Sequence, residues 1–247
     1  MSYLFNTILY QPLLNALIFL YETIAFSDLG VAIILLTLII RVILYPLFYR
    51  SYKNQTVLQK IQPEIKQLQE KHRHNKGEQT KVMLELYKRH KVNPFSSFFL
   101  ILVQLPVLIA LYRVFSSDLS DAALAGLYPF IAKPETLSHT FLDLINLRES
   151  NIIIVGLSAV AQFLQGRMAL PKTKLAGKED AGARAARNMV YIGPAFTLFI
   201  LYSLPAAVGL YWLSTSAFSV IQQVFVNKAI KKNTDHGTAS EQYQKNT

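Results

Sequence analysis

The arginine at position 41 constrains this chain more than any other residue. It lies inside the apolar run 29–48, and a helix of roughly 20 residues is long enough to cross a hydrocarbon core of about 30 Å. A cation at that depth costs on the order of 3 kcal/mol unless protein groups or water solvate it. The predicted spans contain no Asp or Glu that could pair with Arg41. We therefore predict a water-filled cavity within the membrane that presents a positive charge to an anionic or polar ligand.

The composition supports a membrane protein with several spans. The chain is 52% hydrophobic and 16% charged, whereas soluble domains average about 25% charged residues. Because the sequence contains no cysteine, disulfides and thiolate metal sites are excluded.

Hydropathy predicts an all-α membrane protein with five transmembrane helices. The predicted spans are 29–50, 95–116, 150–168, 189–204 and 206–227. The fourth span can extend through 181–188, and Pro205 marks a tight turn before the fifth. In residues 1–28, the apolar positions Leu13, Leu14, Leu17 and Ile18 recur at helical spacing between polar residues. This pattern favours an N-terminal amphipathic helix lying on the extracytoplasmic membrane surface, with a further span as the alternative.

The charges of the loops predict the orientation of the chain. Residues 51–94 carry ten basic and four acidic residues, and residues 169–188 carry five basic and two acidic ones. The loop 117–149 carries five acidic and two basic residues. We therefore place the N-terminus and the loop 117–149 outside, and the two basic loops and the tail 228–247 in the cytoplasm. This bias accounts for most of the net charge of +10, so no direct nucleic-acid partner is expected, except a weak ribosomal contact through the basic tail.

The basic segment 51–94 has the pattern of a helical hairpin. Leu58, Ile61, Ile65 and Leu68 follow the spacing of a coiled-coil seam, and Pro63 is expected to kink this first arm. A turn at 72–77 precedes a second arm with apolar residues at helical spacing. We predict a cytoplasmic coiled-coil hairpin that serves as a docking element, or else as a spacer between spans.

The sequence contains no recognisable catalytic constellation. The five histidines lie in loops or in the tail, and no nucleotide-binding motif is present. We therefore expect neither an enzyme nor a metal or cofactor. The spans instead contain neutral polar groups, each of which could simply bond a neighbouring helix, or anchor the interface in the case of Trp212. Together with Arg41 they predict a polar substrate groove, whose candidate residues are Arg41, Gln104, Gln162, Tyr211, Trp212 and Ser216.

Several of these segments resemble the YidC family (YidC/Oxa/Alb) of membrane protein insertases, in a short bacterial form. The resemblance rests on residues 10–15, 29–41, 62–66, 92–94, 104–112 and 204–212. It implies a five-helix core in the bacterial cytoplasmic membrane, with a hydrophilic groove open to the cytoplasm and the lipid. Arg41 matches the groove arginine of the family, while Gln104, Gln162 and Trp212 are weaker matches. The implied partners are nascent membrane proteins and the lipid bilayer, together with the Sec translocon and the ribosome.

The functional hypothesis is an insertase and chaperone for membrane proteins that uses no nucleotide hydrolysis. One alternative is an assembly factor that binds partner helices without translocating them. A small-solute transporter is a second alternative, although the two halves of the chain lack the internal repeat typical of transporters.

Overall fold

The computed structural model describes residues 3–117, 124–170 and 181–245, and this part of the chain is mainly helical, as predicted. Parts of the predicted loops 117–149 and 169–188 and the last two residues of the tail lie outside the described residues. The helices are α1 (Tyr3–Thr23), α2 (Leu29–Ile43), α3 (Tyr45–Lys60), α4 (Gln62–Lys71), α5 (Lys76–Arg89), α6 (Ser96–Ser116), α7 (Ile152–Ala169), α8 (Ala181–Tyr202) and α9 (Ala206–Lys245). Two short strands, β1 (Thr140–Phe141) and β2 (Ile145–Asn146), form an antiparallel pair between α6 and α7.

Helix α1 buries one face against α2 and leaves the other exposed. Leu14, Leu17, Ile18 and Tyr21 are buried in the largest core cluster, at the helical spacing seen in the sequence. By length and composition alone, α1 is the one described helix that could cross a membrane, and the bent pair α2–α3 is a second candidate if it counts as a single span. The interfacial position of residues 1–28 stays a prediction.

The predicted helix 29–50 is wrong as one continuous element. The chain bends by 69° between α2 and α3, and Leu44 at the junction has left helical geometry, with φ −85° and ψ 1°. Pro46 lies in the first turn of α3, where its missing N–H costs no hydrogen bond, but its ring cannot continue a preceding helix. The bend brings the first turn of α3 back towards the end of α2, where Arg41 lies.

The segment after α3 forms a helical hairpin. Helices α4 and α5 pack through a small apolar cluster of Ile61, Ile65 and Leu86. The break expected near Pro63 falls at Ile61, between α3 and α4, and Asn75 caps α5 by accepting a hydrogen bond from the Glu78 amide at 3.1 Å. The cytoplasmic location of this hairpin stays a prediction.

At the other end of the chain, α8 begins at Ala181. Residues 181–188, predicted as the end of the loop 169–188, therefore belong to the same helix as the predicted fourth span 189–204. Three residues separate the end of α8 from the start of α9, which continues without a break to Lys245. Helix α9 therefore contains both the predicted fifth span 206–227 and most of the predicted tail 228–247.

The segment between α6 and α7 covers one end of the bundle and is attached there by polar contacts. The Asn15 side chain donates to the Gly126 carbonyl at 3.1 Å and accepts from the Tyr128 amide at 2.6 Å. Asp28 caps α2 by accepting from the Val31 amide at 2.8 Å, and its second oxygen accepts from the Leu142 amide at 2.6 Å. These contacts attach the segment to α1 and α2.

Gly30 provides a test of this packing. A Cβ atom at Gly30 would lie 2.5 Å from the Cβ and Cγ atoms of Phe141 on β1. We expect Gly30→Ala to lower the free energy of unfolding by about 1–3 kcal/mol, because overpacking forces the backbone to shift. Thermal unfolding of the purified protein in detergent measures this change. Gly156→Ala is the matched control, because nothing lies within 4 Å of the added Cβ; equal melting temperatures for the two variants would contradict the prediction.

Candidate functional site

The candidate site is a partly open cavity of about 410 Å³ that is lined by residues of α2, α3, α6, α7, α8 and α9. We call it the Arg41 cavity. It is lined by Arg41, Phe48, Ser51, Tyr52, Gln55, Leu100, Gln104, Leu105, Leu108, Gln162, Gln165, Gly166, Val190, Gly193, Pro194, Tyr211, Trp212, Thr215, Ser216, Ser219 and Gln223. All six predicted groove residues belong to this lining. They come from four separate parts of the sequence, which the fold brings together.

Arg41 reaches the cavity from the last turn of α2. Its side chain is only 4% exposed, and its guanidinium carbon lies 4.1 Å from the centre of the Phe48 ring across the bend, a cation–π contact. The Nη1 atom has no hydrogen-bond partner within the described residues, and the described lining contains no carboxylate. A buried guanidinium nitrogen without a partner is costly unless water or a ligand solvates it, so this atom is available to a polar group that enters the cavity.

The two predicted groove glutamines are held by neighbouring helices. The Gln104 amide on α6 donates to the Tyr211 hydroxyl on α9, and the Gln162 carbonyl oxygen on α7 accepts from the Thr197 hydroxyl on α8. The alternative interpretation, that such residues bond a neighbouring helix, therefore holds for both, although both also line the cavity. Thr215 adds a hydroxyl oxygen with no hydrogen-bond partner within the described residues.

Polar residues of α3 and α9 line one side of the Arg41 cavity and extend beyond it, and sequence reasoning did not identify them. The Gln223 side-chain NH₂ group donates to the Gln55 side-chain oxygen at 2.9 Å. The Thr56 hydroxyl lies 2.9 Å from the Asn227 side-chain oxygen. Gln223 is almost fully buried. Its position as a polar residue within the predicted fifth span 206–227 was a sequence signal that could have identified it. Gln55 carried no such signal, because it lies in the basic segment 51–94, outside the predicted spans.

Helices α7 and α9 meet closely beside the cavity. A Cβ atom at Gly209 would lie 2.9 Å from the Ile154 side chain, and the Ser158 hydroxyl donates to the Gly209 carbonyl at 3.2 Å. The small residue lets the two backbones approach, as at other close helix crossings in membranes. This contact fixes the positions of Gln162 and Trp212 further along the two helices.

The outer faces of the helices around the cavity expose large apolar side chains. The exposed residues on α7 and α8 include Ile152, Ile153, Leu157, Val160, Leu164, Tyr191, Ile192, Phe196 and Phe199. Soluble monomers rarely expose contiguous apolar surfaces of this kind, which mark contact with a membrane or with another protein.

Within the described residues, no group of three or more His, Cys, Asp or Glu side chains could hold a metal ion. Two histidines of the hairpin lie beside carboxylates: His72 lies 3.7 Å from Glu78 and His90 lies 3.4 Å from Glu64. Both pairs are partly exposed and lie away from the Arg41 cavity.

Apolar outer faces and a buried arginine, whose Nη1 atom has no hydrogen-bond partner in the described part of the chain, are features of a helical membrane protein. The sequence model of the 60Kd inner membrane protein family matches residues 19–233, and the chain belongs to this family. The family membership places the chain in the bacterial inner membrane.

Curated relatives give the same assignment. The chain is 32% identical over 230 residues to the membrane protein insertase YidC of Fusobacterium nucleatum, an alignment that covers 92% of this chain and 98% of the relative. It is 31% identical to the membrane protein insertase YidC of Geobacter metallireducens and to that of Geobacter sulfurreducens, with 89% of this chain and 37% of each relative covered. The chain therefore spans nearly all of the first relative and just over a third of the other two.

Proposed function

We propose that this chain is a membrane protein insertase and chaperone that works through the Arg41 cavity without nucleotide hydrolysis. The observation that carries the proposal is the buried Nη1 atom of Arg41, which has no partner within the described residues and lies at a cavity lined by neutral polar side chains among apolar ones. The relatives named as insertases support the same activity for this chain.

In the proposed topology the five spans are α2 with the start of α3, then α6, α7, α8 and the first part of α9. The N-terminus is outside, and the hairpin, the loop 169–188 and the end of α9 are cytoplasmic, as the loop charges favour. Helix α1 lies on the outer surface of the membrane. Its contacts with the segment after α6 support this position, since Asn15 bonds Gly126 and the Tyr21 hydroxyl accepts from the Ser138 amide at 2.9 Å.

The cavity lowers the cost of moving a polar segment into the membrane. A short acidic or polar extracytoplasmic segment of the substrate leaves the cytoplasm and enters the hydrated Arg41 cavity, where the guanidinium attracts it. In the low dielectric of a protein interior, opposite charges interact far more strongly than in water. The side chains of Gln104, Gln162, Tyr211, Trp212 and Ser216 supply further hydrogen-bonding groups to the passing segment.

The apolar part of the substrate supplies the driving force. Its helix moves along the lipid-exposed faces of α7 and α9 into the bilayer, and each Å² of apolar surface removed from water contributes about 25 cal/mol. The membrane potential adds about 2.3 kcal/mol per charge per 100 mV for acidic segments. In this proposal the burial of apolar surface and the membrane potential drive insertion, and no nucleotide is hydrolysed.

The expected partners are nascent membrane proteins within the lipid bilayer. The hairpin of α4 and α5 has its own small core and a basic surface, and we propose it as the docking surface for the Sec translocon or the ribosome. The alternative function, an assembly factor that binds helices without translocation, depends on this hairpin alone. Replacing residues 62–90 by a short linker separates the two functions, since it leaves the Gln55–Gln223 and Thr56–Asn227 contacts in place.

The proposal is tested in liposomes that contain only the purified chain. A small single-span protein with an acidic translocated tail is added, and protection of the tail from external protease is scored. We expect protection with the wild-type chain and its loss with Arg41→Glu. Arg89→Glu, a charge reversal on the exposed surface of α5, should retain protection. Full protection with Arg41→Glu would remove Arg41 from the mechanism, and no protection with the wild-type chain would favour the assembly factor.

A further inference from the structure

A second cavity lies beside the Arg41 cavity, between α3 and the start of α6. Its volume is about 350 Å³, and we call it the Arg50 cavity. Its polar lining consists of Arg50, Ser51, Asn54, Asn93 and Ser96. Ser51 and Leu100 line both cavities, so only a thin wall separates them.

The polar groups of the Arg50 cavity have unused capacity to donate hydrogen bonds. The Ser96 hydroxyl oxygen is buried and has no hydrogen-bond partner within the described residues. The side-chain oxygen of Asn93 accepts a hydrogen bond from the Phe95 backbone amide at 2.8 Å. The side-chain NH₂ group of Asn93 is left as its donating group. No carboxylate lies within 4.0 Å of Arg50 in the described part of the chain.

This donor set fits an anion with several oxygen atoms. A guanidinium, an amide and a hydroxyl can each donate to a different phosphate oxygen, and the planar guanidinium binds phosphate in two-pronged geometry. A carboxylate or phosphate ester would also give the buried Ser96 hydroxyl the partner it lacks. The absence of Asp and Glu from the described lining favours a negatively charged ligand over a cation.

The surroundings of the cavity identify the source of the phosphate. Phe95, Phe99 and Leu102 line the same cavity and are largely exposed on the outer surface, where acyl chains would contact them. We propose that the Arg50 cavity binds the phosphate of an anionic phospholipid whose chains lie against the start of α6. The predicted orientation places this site in the cytoplasmic leaflet, where basic residues attract anionic lipid.

A lipid bound here would contact α3 and α6 together, beside the wall that contains Ser51. It would thereby stabilise the arrangement of α3 that closes one side of the Arg41 cavity. The lipid site rests on the membrane location and the predicted orientation of the chain and not on insertase activity, so the two proposals can fail separately.

Native mass spectrometry of the chain in detergent tests the site. The protein is mixed with phosphatidylglycerol or with phosphatidylcholine of the same acyl chains, and bound lipid is counted. We expect the wild-type chain to retain phosphatidylglycerol in preference, and Arg50→Gln to lower this retention about fivefold, the contribution of one basic residue near an anionic lipid surface. Ser96→Ala should lower it less, and Arg50→Lys should keep most of it because the charge remains.

Lys53→Gln is the matched control, because Lys53 is an exposed basic residue on the same helix outside the cavity. Equal retention by Arg50→Gln and Lys53→Gln, or equal binding of the two lipids by the wild-type chain, would overturn the proposal. Loss of phosphatidylglycerol on adding millimolar inorganic phosphate would also overturn it, since the ligand would then be free phosphate. Unchanged melting temperatures of the variants exclude misfolding as the cause.

Discussion

Replacing Arg41 by alanine is expected to reduce the insertion of substrates with acidic translocated segments by about tenfold, and that of neutral segments far less. Removing the charge removes the attraction for the acidic group, and even a modest attraction of about 1.4 kcal/mol at intermediate dielectric corresponds to a tenfold change. The buried guanidinium faces no carboxylate in the described lining, so no internal ion pair is broken at the same time. Protease protection in liposomes, scored for a pair of substrates that differ only in one Asp-to-Asn change, measures the difference.

Arg41→Lys separates charge from shape in the same assay. The ammonium keeps the positive charge but loses the planar contact with Phe48, whose ring lies 4.1 Å from the guanidinium carbon. If the charge alone matters, this variant should insert both substrates nearly as well as the wild-type chain. An equal loss for acidic and neutral substrates with Arg41→Ala would contradict the attraction and leave Arg41 a structural residue.

Replacing Asn15 by leucine is expected to release the segment after α6 from α1. Asn15 is 2% exposed, and its loss leaves the Tyr128 amide without the acceptor that now lies at 2.6 Å. An orphaned buried donor and a lost hydrogen bond cost about 2–3 kcal/mol together. Hydrogen exchange of the Tyr128 amide should therefore become at least about thirtyfold faster.

Asn6→Leu is the matched control for this prediction, because Asn6 is an exposed residue on the same helix. Unchanged exchange at Tyr128 in Asn15→Leu would mean that apolar packing alone holds the segment. Faster exchange in both variants would mean that the substitution acts on α1 as a whole.

The polar cavity could be predicted from the sequence because each of its main residues stands out in an apolar run. A single arginine among leucines and isoleucines is energetically acceptable only beside water or polar groups, and this made Arg41 a candidate. Gln104, Gln162 and Ser216 were candidates because they are polar residues within predicted spans. The structure brings all of these into one lining. Their role as a substrate site stays a proposal.

The bend at Leu44 was missed although the sequence contained its signal. Pro46 restricts the residue before it and cannot follow a helical turn without a break, yet the continuous hydropathy of 29–50 suggested one helix. The bend shapes the candidate site, since the 69° turn places the Phe48 ring over the Arg41 guanidinium.

Contacts between distant segments could not be predicted from pattern alone. Gln55 and Gln223 are separated by 168 positions, and Asn15 and Gly126 by 111. A polar residue that will be buried needs a hydrogen-bond partner, but the periodicity of the sequence does not indicate which distant residue that partner is.

Cross-linking of a substrate to the Arg41 cavity tests the central claim most directly. The chain contains no cysteine, so Ser216→Cys introduces a single thiol into the cavity lining, and Ile8→Cys introduces one on the exposed surface of α1. A stalled substrate carrying one cysteine in its translocated segment should form a disulfide with position 216 and not with position 8. Equal cross-linking at both positions, or none at position 216 while the variant still inserts substrates, would contradict passage through the cavity.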